Sequence, residues 1–162
     1  MKNIKKLNYF KVDVSDYEDI INNLNFKVAK LRNSKIIISG GSGFIGKWLI
    51  GSLLNINNNF KLNLKIDIIS RNSKRFEKNY LFLKKEKCIN LININLCKVS
   101  LDTKKRYDYF FHLANDSNSK YYSDLNFQLY NNLQITRNII KFCENNVSKK
   151  IFFCSSGAAD NI

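Results

Sequence analysis

The sequence predicts an α/β protein with a doubly wound parallel sheet, and three features of the chain indicate this fold class. Short isoleucine-rich runs, typical of buried parallel strands, alternate with stretches whose apolar residues recur at helical spacing. The first of these runs, residues 35–39, leads directly into a glycine-rich turn. Five strand candidates follow this scheme, and right-handed crossovers then favour the order 3-2-1-4-5, with helices on both faces in a three-layer α/β/α arrangement.

Length and composition indicate one globular domain. The chain has 162 residues, of which 44% are hydrophobic, and this content argues against disorder. No window approaches the roughly 18 apolar residues of a membrane span, and the N-terminus lacks a secretory signal. The cysteines have no zinc-site spacing, so we expect buried free thiols, no metal and a cytoplasmic location. They are Cys88, Cys97, Cys143 and Cys154.

The formal net charge of +14 is a second constraint on partners. Basic residues are densest between Arg71 and Arg106, which suits nucleic acid, an acidic membrane surface or a phosphorylated ligand. Lysine is abundant throughout the chain, however, and the aromatic residues fall in apolar runs rather than among the basic ones. We therefore expect neither a nucleic-acid nor a membrane partner, and a basic nucleic-acid-binding domain stays an alternative.

Two segments are predicted. Residues 1–34 form a helical lead-in, in which Ser15 is the expected helix cap and Glu18 completes a capping box. Residues 35–162 form the sheet domain. Its glycine turn suits a pyrophosphate at a helix N-terminus, as in Rossmann-type dinucleotide-binding folds. Gly40 permits the turn, Gly43 lets phosphate approach the backbone, and Gly46 lets helix pack on strand.

The octapeptide Ser39-Gly-Gly-Ser-Gly-Phe-Ile-Gly46 resembles the Thr-Gly-x-x-Gly-Phe-Ile-Gly signature of the extended short-chain dehydrogenase/reductases. These are NAD(P)-dependent epimerases and dehydratases, most of which act on nucleotide sugars. Residues 108–114 resemble the fourth strand of that family, and residues 132–138 resemble its Asn-x-x-Gly-Thr-x-Asn helix, with Ile135 in place of glycine. His112, the only histidine, has a structural or cleft-lining role in that family rather than a catalytic one.

The second strand candidate, residues 64–70, informs on the cofactor. An acidic residue at its end would bind the ribose of NAD, whereas a basic one accommodates the 2′-phosphate of NADP. Ser70 and Arg71 stand there, with Lys74 and Arg75 close behind, so NADP is favoured over NAD. An Asn-rich loop is predicted at 55–63, a helix at 75–86 and a third strand at 89–95. The resemblance and these strand ends together predict a set of cofactor-binding residues: Gly40, Ser42, Gly43, Phe44, Ile45, Gly46, Ser70, Arg71, Asn95, Leu96, Leu113, Ala114, Asn115 and Asn132.

The fifth strand is predicted at 147–156, where Ser156 matches the catalytic Ser/Thr of the family. The family's catalytic Tyr-x-x-x-Lys pair lies on a helix after this strand. Tyr80 and Lys84 have that spacing but lie on another connection, so we interpret them as ordinary helix residues. The resemblance covers residues 31–162, about half of a family member, without the Tyr-Lys pair, the sixth strand or the substrate domain.

We therefore expect the cofactor-binding half of a truncated enzyme, inactive on its own. The resemblance implies that the full-length enzyme works through a transient 4-keto nucleotide sugar in surface-polysaccharide precursor synthesis. A homodimer of the full-length enzyme stays an open alternative to a monomer. A non-catalytic NAD(P)-binding regulatory module is the main alternative.

Overall fold

The computed structural model describes residues 9–10, 12–101, 104–115 and 124–155. Five strands, all paired in parallel, form one sheet in the order β3-β2-β1-β4-β5. The predicted strand order is thus confirmed. The strands are β1 (Lys35–Ser39), β2 (Lys65–Ser70), β3 (Ile89–Asn93), β4 (Tyr107–His112) and β5 (Val147–Phe153). Because all strands run the same way, their carboxyl ends meet at one edge of the sheet.

Helices cover both faces of the sheet, which confirms the layered arrangement. They are α1 (Val14–Leu24), α2 (Phe44–Phe60), α3 (Ser73–Asn79) and α4 (Leu125–Asn146), with 3-10 helices at Asn25–Leu31 and Leu81–Lys84. On one face, Ile38 and Ile68 pack with Leu54 of α2. On the other, Ile37 and Phe110 pack with α4. Within the described chain, no helix is long and apolar enough to cross a bilayer.

The predicted loop at 55–63 is wrong for its first part, because α2 continues to Phe60. The side-chain amides of Asn55 and Asn59 donate to carbonyl groups four residues earlier, at 3.0 and 2.9 Å, and Ile56 between them is buried. Tertiary burial thus outweighs the low helix propensity of asparagine. Lys61, with a left-handed φ of 48°, ends the helix.

Other boundaries differ from prediction by local packing. The helix predicted at 75–86 is interrupted at Tyr80, which separates α3 from the 3-10 helix. β3 ends at Asn93 and β5 at Phe153, earlier than predicted. Asp13, rather than Ser15, caps α1, since its carboxylate accepts a hydrogen bond from the Ser15 amide at 3.0 Å. Of the four free cysteines, only Cys143 is fully buried, and Cys154 is exposed.

The lead-in packs against α2. Tyr9, Ile21 and Val28 belong to the same apolar cluster as the β1 and β2 side chains. The buried Tyr17 donates a hydrogen bond to the Tyr9 carbonyl at 3.0 Å. Its ring lies against Gly51, where any side chain would overlap the Tyr17 hydroxyl. A glycine in the middle of α2 therefore makes room for the lead-in.

Candidate functional site

The glycine turn joins β1 to α2 at the carboxyl edge of the sheet. Gly40 has a φ of +75°, and a Cβ atom there would lie 2.6 Å from the Ala114 amide nitrogen. A Cβ atom at Gly46 would overlap the Gly40 carbonyl oxygen. Both positions therefore require glycine, and the turn lies directly between the end of β4 and the first turn of α2.

Gly43 differs from these two glycines because it is exposed and its surroundings are less crowded. A Cβ atom there would meet only the Gly40 carbonyl oxygen, at 3.2 Å, and the residue is exposed. Gly43 is also the N-cap of α2, where the first N–H groups of the helix have no carbonyl partner within it. Bare backbone and a helix N-terminus together form a cradle suited to an anion.

A cavity of about 260 Å³ opens beside this cradle. Its lining brings together ten of the predicted cofactor-binding residues: Gly40, Ser42, Gly43, Ser70, Arg71, Asn95, Leu96, Leu113, Ala114 and Asn115. Four further lining residues are outside the predicted set: Ile69, Ile94, Cys97 and Ile135. Ile69 and Ile94 could have been found from their places at the ends of β2 and β3, whereas Ile135 reaches the cavity from α4.

Four predicted residues do not line this cavity. Gly46 is buried beneath the turn, while Phe44 and Ile45 project from the exposed start of α2. Asn132 is half-buried, whereas Asn131 and Ile135, one turn apart on α4, are buried. The face of α4 toward the sheet therefore runs through residues 131 and 135, a helical spacing that the motif comparison alone did not resolve.

A second cavity, of about 380 Å³, is lined by three basic side chains and is called the cationic cavity below. Lys47, Arg71 and Arg75 line it, and it shares Ser42, Ser70 and Arg71 with the first cavity. The remaining lining is polar or aromatic: Asn72, Phe76, Asn79 and Tyr80. Of the two cations predicted to follow Arg71, Arg75 lines this cavity and Lys74 does not. Lys47 was not predicted, although it directly follows the glycine motif.

Local hydrogen bonds fix the ends of β2 and β3 around the cavities. The Asn72 side chain accepts from the Arg75 amide at 3.1 Å and so caps α3. The Asn95 carboxamide oxygen accepts from the Cys97 amide at 3.1 Å. Asn95 therefore stabilises its own loop through its carboxamide oxygen.

His112 ties β4 to β1. Its Nδ1 lies 2.7 Å from the Ser39 hydroxyl, and both side chains are buried. Burial lowers the pKa of His112 to about 4, so the ring is neutral near pH 7. The Leu113 amide donates to the Ser39 carbonyl at 3.0 Å and reinforces this junction. The position is that of a structural residue next to the glycine turn.

The predicted catalytic residue, Ser156, lies outside the described residues. Tyr80 and Lys84 each have another partner. Lys84 forms an ion pair with Glu77 at 3.4 Å, and the Tyr80 hydroxyl lies 3.5 Å from the Lys47 ammonium nitrogen. Tyr80 thus belongs to the cationic cavity.

A parallel sheet in this order, with a glycine turn between its first strand and helix, defines the Rossmann class of dinucleotide-binding folds. The sequence profile of the NAD dependent epimerase/dehydratase family matches residues 36–159. The chain therefore belongs to the NAD-dependent epimerase/dehydratase family, as its motifs indicated. No protein of curated function is similar enough in sequence to match it.

Solved structures with this fold include several epimerases. A UDP-galactose 4-epimerase aligns with a TM-score of 0.56 and 20% identity over 76% of this chain and 38% of that one. Pen from Bacillus thuringiensis aligns with a TM-score of 0.60 and 23% identity over 80% of this chain and 40% of that one. The Helicobacter pylori ADP-L-glycero-D-manno-heptose-6-epimerase aligns with a TM-score of 0.57 and 20% identity over 79% of this chain and 40% of that one. At these identities the likeness shows the fold alone, and the chain spans about two fifths of each structure.

Proposed function

We propose that this chain binds NADP across the two joined cavities and forms the cofactor-binding part of a nucleotide-sugar epimerase or dehydratase. The observation that carries the proposal is their junction, where Ser42, Ser70 and Arg71 line both. One cavity offers bare backbone and apolar residues, and the other offers cations. NADP has two matching parts: a dinucleotide, which suits the backbone and apolar lining, and an additional ribose phosphate, which suits the cations.

The pyrophosphate is assigned to the N-terminus of α2. Gly43 leaves the backbone open there, and the N–H groups of the first turn supply donors and a partial positive charge. The nicotinamide half then extends toward Leu113, Ala114 and Asn115 at the end of β4. The adenosine half lies toward the ends of β2 and β3.

The 2′-phosphate is assigned to the cationic cavity. Lys47, Arg71 and Arg75 line it, and no carboxylate is among its described lining residues. Arginine recognises phosphate through paired, charge-assisted N–H donors. NAD lacks this phosphate, so these side chains favour NADP specifically.

The cofactor supplies hydride transfer when it is bound, and the residues of this chain orient it. The family resemblance assigns Ser156 to the sugar hydroxyl, as a hydrogen-bonding partner. An activated acid–base is also required, and the only Tyr-x-x-x-Lys in the sequence is Tyr80 with Lys84. Tyr80 belongs to the phosphate side of the cleft, so residues 1–162 on their own bind cofactor without turnover, as in a regulatory module.

Calorimetric titration of residues 1–162 with NADP and NAD tests the cofactor assignment. NADP should bind about tenfold more tightly or better, because a charge-assisted phosphate contact contributes ~1.5–3 kcal/mol. Arg71→Ala should erase most of this preference. Lys74→Ala is the matched control, since Lys74 is an exposed neighbouring cation that does not line the cavity. Equal affinities for the two cofactors in the parent chain would refute the NADP assignment.

Gly43→Ala tests the pyrophosphate assignment. The added methyl group meets only one carbonyl oxygen, so the fold should persist, as measured by circular dichroism. It nevertheless occupies the cradle, and both cofactors should bind at least about tenfold less tightly through lost phosphate hydrogen bonds. Unchanged affinity with an intact fold would place the pyrophosphate elsewhere.

Incubation with NADP and UDP-, GDP- and dTDP-sugars tests the absence of turnover. No 4-keto product and no cofactor reduction are expected. Turnover that is abolished by Ser156→Ala would contradict the proposal and would require another acid–base within these residues.

A further inference from the structure

We infer that Phe10 of the N-terminal lead-in is part of the cofactor site, because it supports Tyr80, and Tyr80 holds Lys47 at the cationic cavity. The inference rests on the proposed NADP binding and makes Tyr80 and Phe10 positioning residues for cofactor specificity. Three observations carry it, and they form a chain of contacts from the lead-in to the cavity.

The first contact joins Tyr80 to Lys47. The Lys47 ammonium nitrogen lies 3.5 Å from the Tyr80 hydroxyl and 5.8 Å from the centroid of its ring. Both distances are at the outer range of a hydrogen bond and of a cation–π contact. Tyr80 itself lines the cationic cavity, together with Lys47 and Arg75. A flexible lysine is thereby restrained on the side where the ribose phosphate is assigned, which lowers the entropy lost on binding.

The second contact joins Phe10 to Tyr80. Their ring centroids are 4.8 Å apart in an edge-to-face arrangement, and Phe10 also stacks on Phe76 at 6.0 Å. Phe82 completes this group, 4.9 Å from Phe10. Aromatic pairs of this geometry contribute more than the area they bury. Phe10 thus contacts the Tyr80 ring directly and connects the lead-in to the contact between Tyr80 and Lys47.

The third observation is the backbone of Phe10, whose φ of 59° lies in the left-handed region. That conformation is unfavourable for a bulky residue and persists only where surrounding contacts favour it. Neighbouring contacts anchor the segment: the Tyr9 hydroxyl donates to Glu86 at 2.7 Å, and Tyr17 donates to the Tyr9 carbonyl. The strained turn therefore places the Phe10 ring in the aromatic group.

The test compares the NADP and NAD affinities of the full chain in the parent and in variants of Tyr80, Phe10 and Lys47. Tyr80→Phe keeps the ring and removes the hydroxyl, and Tyr80→Leu removes both contacts with Lys47. Phe10→Gly accepts the left-handed backbone and removes only the ring. Phe10→Tyr keeps the ring and should restore parental behaviour.

We expect the NADP-to-NAD affinity ratio to fall roughly threefold in Tyr80→Phe and Phe10→Gly, and more in Tyr80→Leu, with NAD affinity unchanged. A general loss of protein stability would lower the affinities for NADP and NAD alike. A change in the ratio of the two affinities therefore reports the positioning of Lys47. Lys47→Ala should lower the ratio at least as far as Tyr80→Leu.

Two outcomes would overturn the inference, and they are distinguishable. If the parent prefers NADP and Arg71→Ala removes the preference, but the Tyr80 and Phe10 variants keep the parental ratio, the lead-in has no part in the site and the proposed function stands. If the parent shows no preference for NADP, the proposed cofactor assignment fails and the inference fails with it.

Discussion

β2 and β5 are both apolar parallel strands, yet they lie in different surroundings. Ile68 of β2 is 0% exposed, whereas Ile151 of β5 is 51% exposed and Phe153 is 55% exposed. β2 has a strand on each side and helices packed on the sheet around it, while β5 pairs only with β4 among the residues that the structure describes. The comparison teaches that burial of a strand depends on what covers its faces and edges, not on its own apolar residues.

The largest expected effect is a direct test of this difference. Ile68→Ala should lower the free energy of unfolding by about 2–5 kcal/mol, because it removes fully buried methylene groups and leaves a cavity. Ile151→Ala is the matched control on β5 and should cost less than about 1 kcal/mol. Urea unfolding of both variants measures the contrast. Equal losses would mean that β5 is as buried in solution as β2.

The same contrast explains which parts of the fold were predictable from sequence. The isoleucine run of β1 predicts its bounds without error, because a buried strand next to a glycine turn has few alternatives. α2 was predicted too short, since Asn55 and Asn59 favour loops locally and are held in the helix by side-chain bonds and by the burial of Ile56. Local propensity cannot report contacts made by tertiary packing.

The candidate site shows the same limit. Gly40, Gly43 and Arg71 lie in a motif and at a strand end, so the topology alone brings them together. Lys47 and Tyr80 are separated by more than thirty positions. They meet because α3 ends at Asn79 and the next residue, Tyr80, contacts Lys47 of α2. The spacing of Tyr80 and Lys84 carries no information about this contact.

The second prediction concerns His112 of β4, a strand that lies between β2 and β5 in the sheet. His112 contacts Ser39 of β1, and the Phe153 ring of β5 lies 4.8 Å from its own ring. Burial lowers its folded-state pKa to about 4 from about 6.5. As the pH falls below about 6.5, the unfolded chain gains a proton that the folded chain does not. The stability contributed by neutral His112 is therefore lost progressively toward pH 4, by roughly 3 kcal/mol.

Urea unfolding of the parent at a series of pH values from about 7 to about 4 measures this loss. His112→Asn is the control, because His112 is the only histidine and its removal should flatten the slope in this window. A slope that persists unchanged in the variant would assign it to carboxylates instead.

A smaller effect is expected where the lead-in meets α2. Gly51→Ala raises helix propensity by about 1 kcal/mol, but the new methyl group overlaps the Tyr17 hydroxyl and ring. We expect a net loss of about 1–2 kcal/mol from this overpacking. The double variant Tyr17→Leu with Gly51→Ala should show less loss than the sum of the single variants. Additive losses would indicate that Tyr17 does not pack on Gly51 in solution.

The smallest effect is expected at the exposed pair that joins β4 to β5. Lys149 lies 3.0 Å from the Asp108 carboxylate, and Lys105 lies 3.0 Å from that of Asp67, so the two pairs match in distance. Their carboxylates differ, because the Asp67 side chain is 10% exposed and that of Asp108 is 24% exposed. Burial alone would raise the pKa of Asp108, but hydrogen bonds from the Lys35 amide and Lys149 outweigh it and hold the pKa below its usual value.

Solvent and salt screen an exposed pair, so Lys149→Ala should leave the urea midpoint within error of the parent, at low and at high salt. Lys105→Ala should lower the midpoint measurably, since it removes a partner from a buried carboxylate that also accepts from the Tyr107 hydroxyl and the Asn90 side chain. If Lys149→Ala lowered the urea midpoint more than Lys105→Ala, the pair of Lys149 and Asp108 would be less exposed to water in solution than it is in the structure.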